Sequence, residues 1–217
     1  EISCNHSGTM HVLVYFLEPG ESPLQDELRR LQVARGTRNE RLVARLSELG
    51  FEVGMDELDA EAGPTGAGRP HLAAVLVRKG YALSIQDAFD RFLAKGGPAY
   101  IEKERLDPLP AIALARQSGA LAVLAHPLSL DLAPAQLEST LRELADAGLA
   151  GLECIYGRYD RQQRADLAVL AARTGLAITG GSDYHGAYKP DLSLGTGRGD
   201  LHVPDGALAA LRDRLAP

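Results

Sequence analysis

The sequence of 217 residues contains no tryptophan and only two cysteines, Cys4 and Cys154. Two cysteines cannot form the disulfide framework of a small secreted domain, and they favour a reducing, cytoplasmic location. Aromatic residues make up only 5% of the chain, so leucine, alanine and valine must supply most of the core. The longest apolar runs, such as residues 120–125, are far too short to span a bilayer. These shortages argue against a disulfide-rich secreted domain and against a membrane-spanning protein.

The chain also has fewer basic than acidic residues. It contains 23 lysines and arginines and 29 aspartates and glutamates, which gives a formal net charge of −6. A negatively charged chain is not expected to coat nucleic acid non-specifically or to bind an anionic membrane surface. We therefore expect neither stable binding to duplex nucleic acid nor a membrane partner. The hydrophobic share of 45% is typical of a globular protein and excludes wholesale disorder.

The chain begins with a pattern that predicts two strands. Residues 9–16 alternate between two faces and are rich in strand-forming side chains. Residues 1–4 form a candidate neighbouring strand, joined to the first through a short polar turn. The pattern stops at Pro19 and Gly20.

A helical block is predicted to follow these strands. Ser22 and Pro23 have the pattern of a helix start, and leucines then recur at helical spacing. An acidic and then Gly/Pro-rich stretch at 52–68 predicts a loop within the block. We interpret residues 21–97 as a helical insertion that acts as a lid.

The pattern changes after this insertion. Short apolar runs alternate with helical stretches, which is typical of βα units in a parallel sheet and therefore of an α/β protein. We expect residues 1–20 and 98–217 to form one discontinuous domain around the insertion. The alternation predicts helices at 108–119, 134–148, 161–175 and 204–215, and strands at 120–125, 149–156 and 176–179.

Polar residues that could bind metal ions follow two of these predicted strands. His126 comes directly after strand 120–125, and Asp183 and His185 come shortly after strand 176–179. Gly180 and Gly181 lie between, where they would allow the backbone to turn sharply. Active sites of parallel α/β proteins collect at the carboxyl ends of the strands, so these side chains are expected to lie close together.

Glu1 and His11 lie on the first two predicted strands and complete a set of two carboxylates and three imidazoles. These ligand types suit Mn²⁺, Fe²⁺ or Zn²⁺, and a carboxylate can bridge two ions that polarise a phosphoryl oxygen. Each residue also has an ordinary structural interpretation. His126 could be a turn residue beside Pro127, Asp183 could cap a turn, and His11 could be a half-buried strand residue. Glu153 is interpreted as a buried hydrogen-bonding residue rather than a ligand.

Five motifs in order give the sequence a family resemblance. They are Glu1-Ile-Ser, the strand containing His11, Arg69-Pro-His71, Leu124-Ala-His126-Pro127 and Gly181-Ser-Asp183-Tyr-His185. Together these motifs resemble the PHP (polymerase and histidinol phosphatase) family. The arrangement is most similar to its stand-alone branch of 3′,5′-nucleoside bisphosphate phosphatases and a 5′-to-3′ exoribonuclease. The resemblance implies a distorted, TIM-like (β/α)₇ barrel, incomplete at its N-terminal end and carrying a helical insertion.

The resemblance also implies a function and a ligand set. It implies a metal-dependent hydrolase that releases phosphate from a nucleotide such as a 3′,5′-bisphosphate, or acts on the 5′ end of a short oligoribonucleotide, through a metal-bridging hydroxide. Up to three divalent ions are expected, with Mn²⁺ favoured over Fe²⁺ or Zn²⁺. The implied metal ligands are Glu1 as the bridge, His11 and His126 on one ion, Asp183 on a second and His185 on a third. Arg69 and His71 are implied to bind substrate phosphate.

One departure from the family pattern keeps two other interpretations open. The family begins with a His-x-His strand, an Asp and another His before the Glu that corresponds to Glu1, and these four ligands are absent from the sequence. We expect a longer parent protein to carry them, because this fragment alone would lack part of its centre. The alternatives are a phosphomonoesterase resembling histidinol phosphatase and a non-catalytic scaffold module. Six arginines between residues 29 and 45 favour a phosphate-rich substrate over histidinol phosphate.

Overall fold

The computed structural model describes residues 1–63 and 66–215. These residues form two compact units. The first unit comprises Glu1–Asp26 and the chain from Arg105 onward, and the second comprises Glu27–Glu104. None of the helices in the described ranges combines the length and the apolar character that crossing a membrane requires.

The first unit contains a five-stranded sheet whose strands follow the order of the chain. β1 and β2 form an antiparallel hairpin, since the five-residue connection between them is too short for a parallel crossover. β2 is also antiparallel to β3, whereas β3, β4 and β5 are parallel to one another. The strands are β1 (Ile2–Cys4), β2 (Met10–Tyr15), β3 (Leu121–Leu124), β4 (Gly151–Tyr156) and β5 (Ala177–Gly181).

Helices alternate with the three parallel strands, as the sequence pattern predicts, and two of the helices connect one parallel strand to the next. Proline begins two of them, at Pro108 and Pro134, where its missing N–H is not needed. Gly119 and Gly175 follow helix ends with positive φ angles of 69° and 69°, which a glycine adopts without strain. The helices are α5 (Pro108–Gln117), α6 (Pro134–Asp146), α7 (Arg161–Arg173) and α8 (Asp205–Arg212).

The central strand β3 is buried because both of its faces are covered. All four residues of β3 are buried, and one apolar cluster joins the centre of the sheet to α8. Parallel strands covered on both faces have continuous apolar runs rather than alternation, as residues 120–125 do. The buried members of this cluster are Leu121, Val123, Ala150, Ala177 and Leu211.

The second unit is helical and has its own apolar core. The helix that begins at Pro23 continues to Glu48 as α1, and Ser22 Oγ accepts a hydrogen bond from Gln25 N (3.2 Å) at its start. The later helices are α2 (Met55–Ala62), α3 (Arg69–Arg78) and α4 (Ile85–Ala88), the last continued by a π-helical segment at Phe89–Leu93. Leu42, Leu46, Leu58, Leu72, Leu76 and Leu93 are fully buried in this core.

Two features of the insertion differ from the prediction. The stretch predicted as a loop contains α2, because Glu57 caps the Gly54 N–H (3.0 Å) and Leu58 is buried against the core. Pro64 and Thr65, also in that stretch, lie outside the described residues. The arginines of α1 do not form one exposed basic face, because Arg38 is buried and Arg30 pairs with Glu27 and Glu104.

The sheet confirms the α/β class but is not parallel throughout. The (β/α)₇ barrel implied by the resemblance therefore remains a prediction.

Candidate metal centre

The predicted ligands on two of the parallel strands occupy equivalent positions. His126 is the second residue after β3, and Asp183 is the second residue after β5. Both have positive φ angles, 29° and 52°, which are uncommon for residues other than glycine. Because the strands run in one direction, both side chains lie at the same edge of the sheet.

Gly180 and Gly181 do not act as a sharp turn, contrary to the sequence interpretation. Both belong to β5, and neither has a left-handed backbone conformation. A Cβ atom at Gly180 would instead lie 2.5 Å from the carbonyl oxygen of Ile155 and 2.8 Å from Val203 Cγ2. Gly180 is thus required for the close approach of β4 and β5 at Ile155, next to the point where the register of the two strands shifts.

Glu1 and His11 reach the centre by a different route. His11 lies near the start of β2, which runs antiparallel to β3, so it lies beside the end of β3; the Ala125 N–H donates to the His11 carbonyl (3.0 Å). Ser3 pairs with His11 across the hairpin, and alternation places Glu1 on the same face. His11 lies within β2 and Glu1 directly precedes β1, so neither residue follows the end of a strand as His126 and Asp183 do.

The structure brings all five predicted metal ligands together. Glu1, His11 and His126 offer donor atoms that lie within 4.8 Å of one another, and Glu1, Asp183 and His185 form a second such group. Glu1 belongs to both groups. The nitrogen atoms His11 Nδ1 and His126 Nε2 are 3.1 Å apart, and Glu1 Oε1 contacts the first and lies 3.7 Å from the second.

The charges in this cluster are strongly coupled. Hydrogen bonds from His11 and His126 hold the pKa of the Glu1 carboxyl well below its usual range. Burial opposes a charge on His126, but its hydrogen bond to Glu1 and the nearby carboxylates outweigh that effect and raise its pKa. Glu1 is therefore an ionised carboxylate beside two imidazoles, and these donors can bind a metal ion when it replaces the shared protons.

Two neighbours fix the orientation of His126. Ser129 Oγ lies 2.7 Å from His126 Nδ1 and donates its own proton to a carbonyl, either that of Thr9 or that of His126 (both 2.8 Å). If the hydroxyl oxygen accepts from Nδ1–H, Nε2 is the ring nitrogen that can bind an ion once it loses its own proton. On the backbone side, Glu153 Oε2 accepts the His126 N–H at 2.8 Å and supports its strained conformation.

Glu153 has the structural role that its buried position predicts. Its side chain lies in the interior of the first unit, and it is not a member of either donor group within the described residues. Burial raises the pKa of its carboxyl to about 7, although the bond from the His126 N–H acts in the opposite direction. Glu153 therefore holds the turn that carries His126 in place.

Asp183 is held by two side chains that the sequence analysis did not place among the ligands. The hydroxyl of Tyr156 donates to Asp183 Oδ2 (2.7 Å), and the Lys189 ammonium contacts the same oxygen. His185 Nδ1 lies 2.9 Å from the carbonyl oxygen of Asp183. Tyr156 is the last residue of β4, so the same strand-end rule that selects His126 could have found it.

The chemistry of these donors fits a centre of transition-metal ions. Imidazole nitrogen with carboxylate oxygen suits Mn²⁺, Fe²⁺ and Zn²⁺. Donors around one ion at about 2.1 Å lie at most about 4.2 Å apart, which is comparable to the spread of each group here. A carboxylate common to both groups matches the bridging role implied for Glu1.

Arg69 and His71, the predicted phosphate-binding residues, lie together at the start of α3 in the second unit. The Arg69 guanidinium lies over the rings of Phe89 (5.8 Å) and Tyr100 (5.3 Å), and Nη1 donates to the Leu93 carbonyl (2.9 Å). His71 Nδ1 accepts the Gly68 N–H (3.1 Å), and burial lowers the pKa of its ring. These contacts orient both side chains.

We expect Glu153→Leu to weaken metal binding by about 10- to 100-fold, because it leaves the buried His126 N–H without an acceptor. Glu153→Gln keeps a carbonyl oxygen at the same distance along the side chain and should stay within a few-fold of the parent protein. Isothermal titration with Mn²⁺ measures both. Equal losses in the two variants would show that charge, rather than the hydrogen bond, is what Glu153 contributes.

Several curated proteins are similar to this chain, although no protein-family model matches it. A 3′,5′-nucleoside bisphosphate phosphatase of Chromobacterium violaceum is 27% identical over 181 residues, 82% of the chain and 62% of the relative. A phosphoribosyl 1,2-cyclic phosphate 1,2-diphosphodiesterase of Eggerthella lenta is 34% identical over 146 residues, 66% of the chain and 54% of the relative. A 5′-3′ exoribonuclease of Salmonella typhimurium is 27% identical, covering 83% of the chain and 61% of the relative. The chain thus spans about three fifths of these relatives' length.

A solved structure resembles nearly the whole chain. A protein of Bifidobacterium adolescentis, assigned to the metal-dependent phosphoesterases, superposes with a TM-score of 0.80 at 28% identity. The match covers 98% of this chain and 74% of that protein. The relatives and this structure agree with the family resemblance that the motifs carry.

Proposed function

We propose, starting from the relationship of this chain to the PHP phosphoesterases, that the protein hydrolyses phosphate esters of nucleotides with the help of divalent metal ions. The preferred substrate is a 3′,5′-nucleoside bisphosphate, and the 5′ end of a short oligoribonucleotide is the second substrate class. The observation that carries the proposal is the convergence of two overlapping donor groups on Glu1. The named activities of the similar proteins support it, since each acts on a phosphate ester.

In this proposal Glu1, His11 and His126 hold one ion, and Asp183 on the other side of Glu1 holds a second. His185 contributes to a third. Bound ions would neutralise charge on the phosphoryl oxygens and lower the pKa of water, with Mn²⁺ our favoured metal. We propose that the protein works in the cytoplasm, where its two cysteines would stay reduced.

The chain's own residues prepare this centre. Ser129 Oγ lies 2.7 Å from His126 Nδ1 and would accept its proton in a hydrogen bond, so that Nε2 would be the nitrogen available to an ion. Tyr156 and Lys189 hold the Asp183 carboxylate from one side, which limits its rotation. These contacts reduce the rearrangement that ion binding requires.

Arg69 and His71 are proposed to bind a substrate phosphate, as the resemblance implies. The guanidinium of Arg69 is already oriented by two aromatic rings and a carbonyl, so it would lose little conformational freedom on binding an anion. Two anchored phosphates would favour a bisphosphate over a monoester.

The proposal is tested by measuring phosphate release with Mn²⁺ from the chain together with any residues that its gene encodes before Glu1. We expect turnover of 3′-phosphoadenosine 5′-phosphate to exceed that of histidinol phosphate, and chelation by EDTA to abolish both. A preference for histidinol phosphate would favour the alternative phosphomonoesterase. A protein that binds no transition metal and releases no phosphate would be a scaffold, and the proposal would be wrong.

A further inference from the structure

Arg158 occupies on β4 the position that two proposed metal ligands occupy on the neighbouring strands. It is the second residue after the end of β4, as His126 is after β3 and Asp183 is after β5. Because these three strands are parallel, all three positions lie at one edge of the sheet. The central position of the series thus carries a guanidinium instead of a ligand.

Arg158 also lines the cleft at the metal centre. This cleft has a volume of about 400 Å³ and is lined by His11, His126 and Asp183 together with two cationic residues, Arg158 and Lys189. The Lys189 ammonium is paired with Asp183, a proposed metal ligand. Arg158 pairs with a residue that does not line the cleft, so its charge is not committed to the metal ligands.

The contacts of Arg158 leave part of its guanidinium available. Asp191 accepts hydrogen bonds from Nε (3.0 Å) and Nη2 (2.7 Å), which fixes the plane of the group. Within the described part of the chain, Nη1 donates no hydrogen bond, so two of its N–H donors can bind an anion. Arg198 Nη2 also donates to Asp191 Oδ2 (3.1 Å). The two guanidinium groups and the single carboxylate therefore have a net positive charge.

We propose that Arg158 binds a phosphate group of the substrate in the cleft of the first unit. The inference deepens the proposed function and rests on it for the identity of the substrate as a phosphate ester. A guanidinium held in plane by a carboxylate presents its remaining donors to phosphate oxygens with little loss of conformational freedom. The competing interpretation is that Arg158 only ties the loop after β4 to the loop containing Asp191.

Binding of three probes to the Mn²⁺-loaded protein separates these interpretations. Inorganic phosphate, adenosine 5′-monophosphate and adenosine are titrated calorimetrically into the parent protein and two variants. We expect Arg158→Gln to weaken phosphate and the mononucleotide by about 10-fold or more, with adenosine unchanged. The number of bound Mn²⁺ ions should not change. Arg198→Gln is the matched control, because Arg198 shares Asp191 but does not line the cleft.

Steady-state kinetics provide a second measurement. With a nucleotide substrate, Arg158→Gln should raise KM by about 10-fold while kcat changes by less than about threefold. Three results would overturn the inference: unchanged phosphate affinity in Arg158→Gln, an equal loss in Arg198→Gln, or a parent protein that binds no phosphate. A parent protein that binds phosphate through Arg158 but hydrolyses no phosphate ester would refute the proposed function while leaving this binding site in place.

Discussion

Glu1→Gln is expected to reduce the affinity for Mn²⁺ by at least about 100-fold and to remove more than one ion from the protein. Loss of a residue that only supports a metal ligand lowers the metal affinity by about 10- to 100-fold. Glu1 is itself a proposed ligand, so its loss should lower the affinity further. It is also the one residue common to both donor groups among the described residues, so its loss affects both. Nucleotide hydrolysis should fall by about 1,000-fold, because metal ions supply several kcal/mol of charge stabilisation.

Metal analysis and calorimetry of three variants test this expectation. His185→Ala should lose a single ion, since His185 belongs to only one donor group. Glu143→Gln removes an exposed carboxylate on α6 and should bind Mn²⁺ like the parent protein. If Glu1→Gln retained the full number of ions with unchanged affinity, the shared centre would not exist as described.

Gly180→Ala is expected to destabilise the protein by about 3 kcal/mol. The added Cβ atom would meet the Ile155 carbonyl oxygen at 2.5 Å and Ile155 Cβ at 2.6 Å. Backbone atoms cannot move aside without disturbing the pairing of β4 with β5, so the strands must separate. Because Asp183 follows only two residues after β5, we expect weaker metal binding as well.

Urea unfolding of two glycine variants measures this effect. Gly36→Ala is the control, because Gly36 lies within α1 and an added Cβ would have no neighbour within 4 Å. It should stabilise the helix by about 0.5–1 kcal/mol, since alanine loses less conformational freedom than glycine. A Gly180→Ala variant as stable as the parent protein would show that the β4–β5 contact is more pliable than its geometry indicates.

Much of the candidate site could be predicted because its ligand types appear at strand ends. His126 follows a continuous apolar run, and Asp183 follows a short predicted strand and two glycines, both of which are local patterns. Tyr156 ends β4 and Arg158 follows it, but neither side chain is an imidazole or a carboxylate, the groups that indicate a metal site. The helix α2 was missed because its acidic residues resemble a loop, whereas the burial of Leu58 depends on helices elsewhere in the chain.

The amino-acid sequence was enough to predict the α/β class, the strands and helices that follow the insertion, and five candidate metal ligands. Hydrophobic periodicity, helix caps and the chemistry of possible ligands are properties of short segments. They can therefore be recognised in the sequence without knowledge of the tertiary structure. The family resemblance implied a bridging Glu1, but the distances that place its carboxylate in two donor groups, and the close contact of strands at Gly180, come from the three-dimensional structure. These features depend on the antiparallel register of β1 and β2 and on the spacing of β4 and β5, which are set by packing between distant segments.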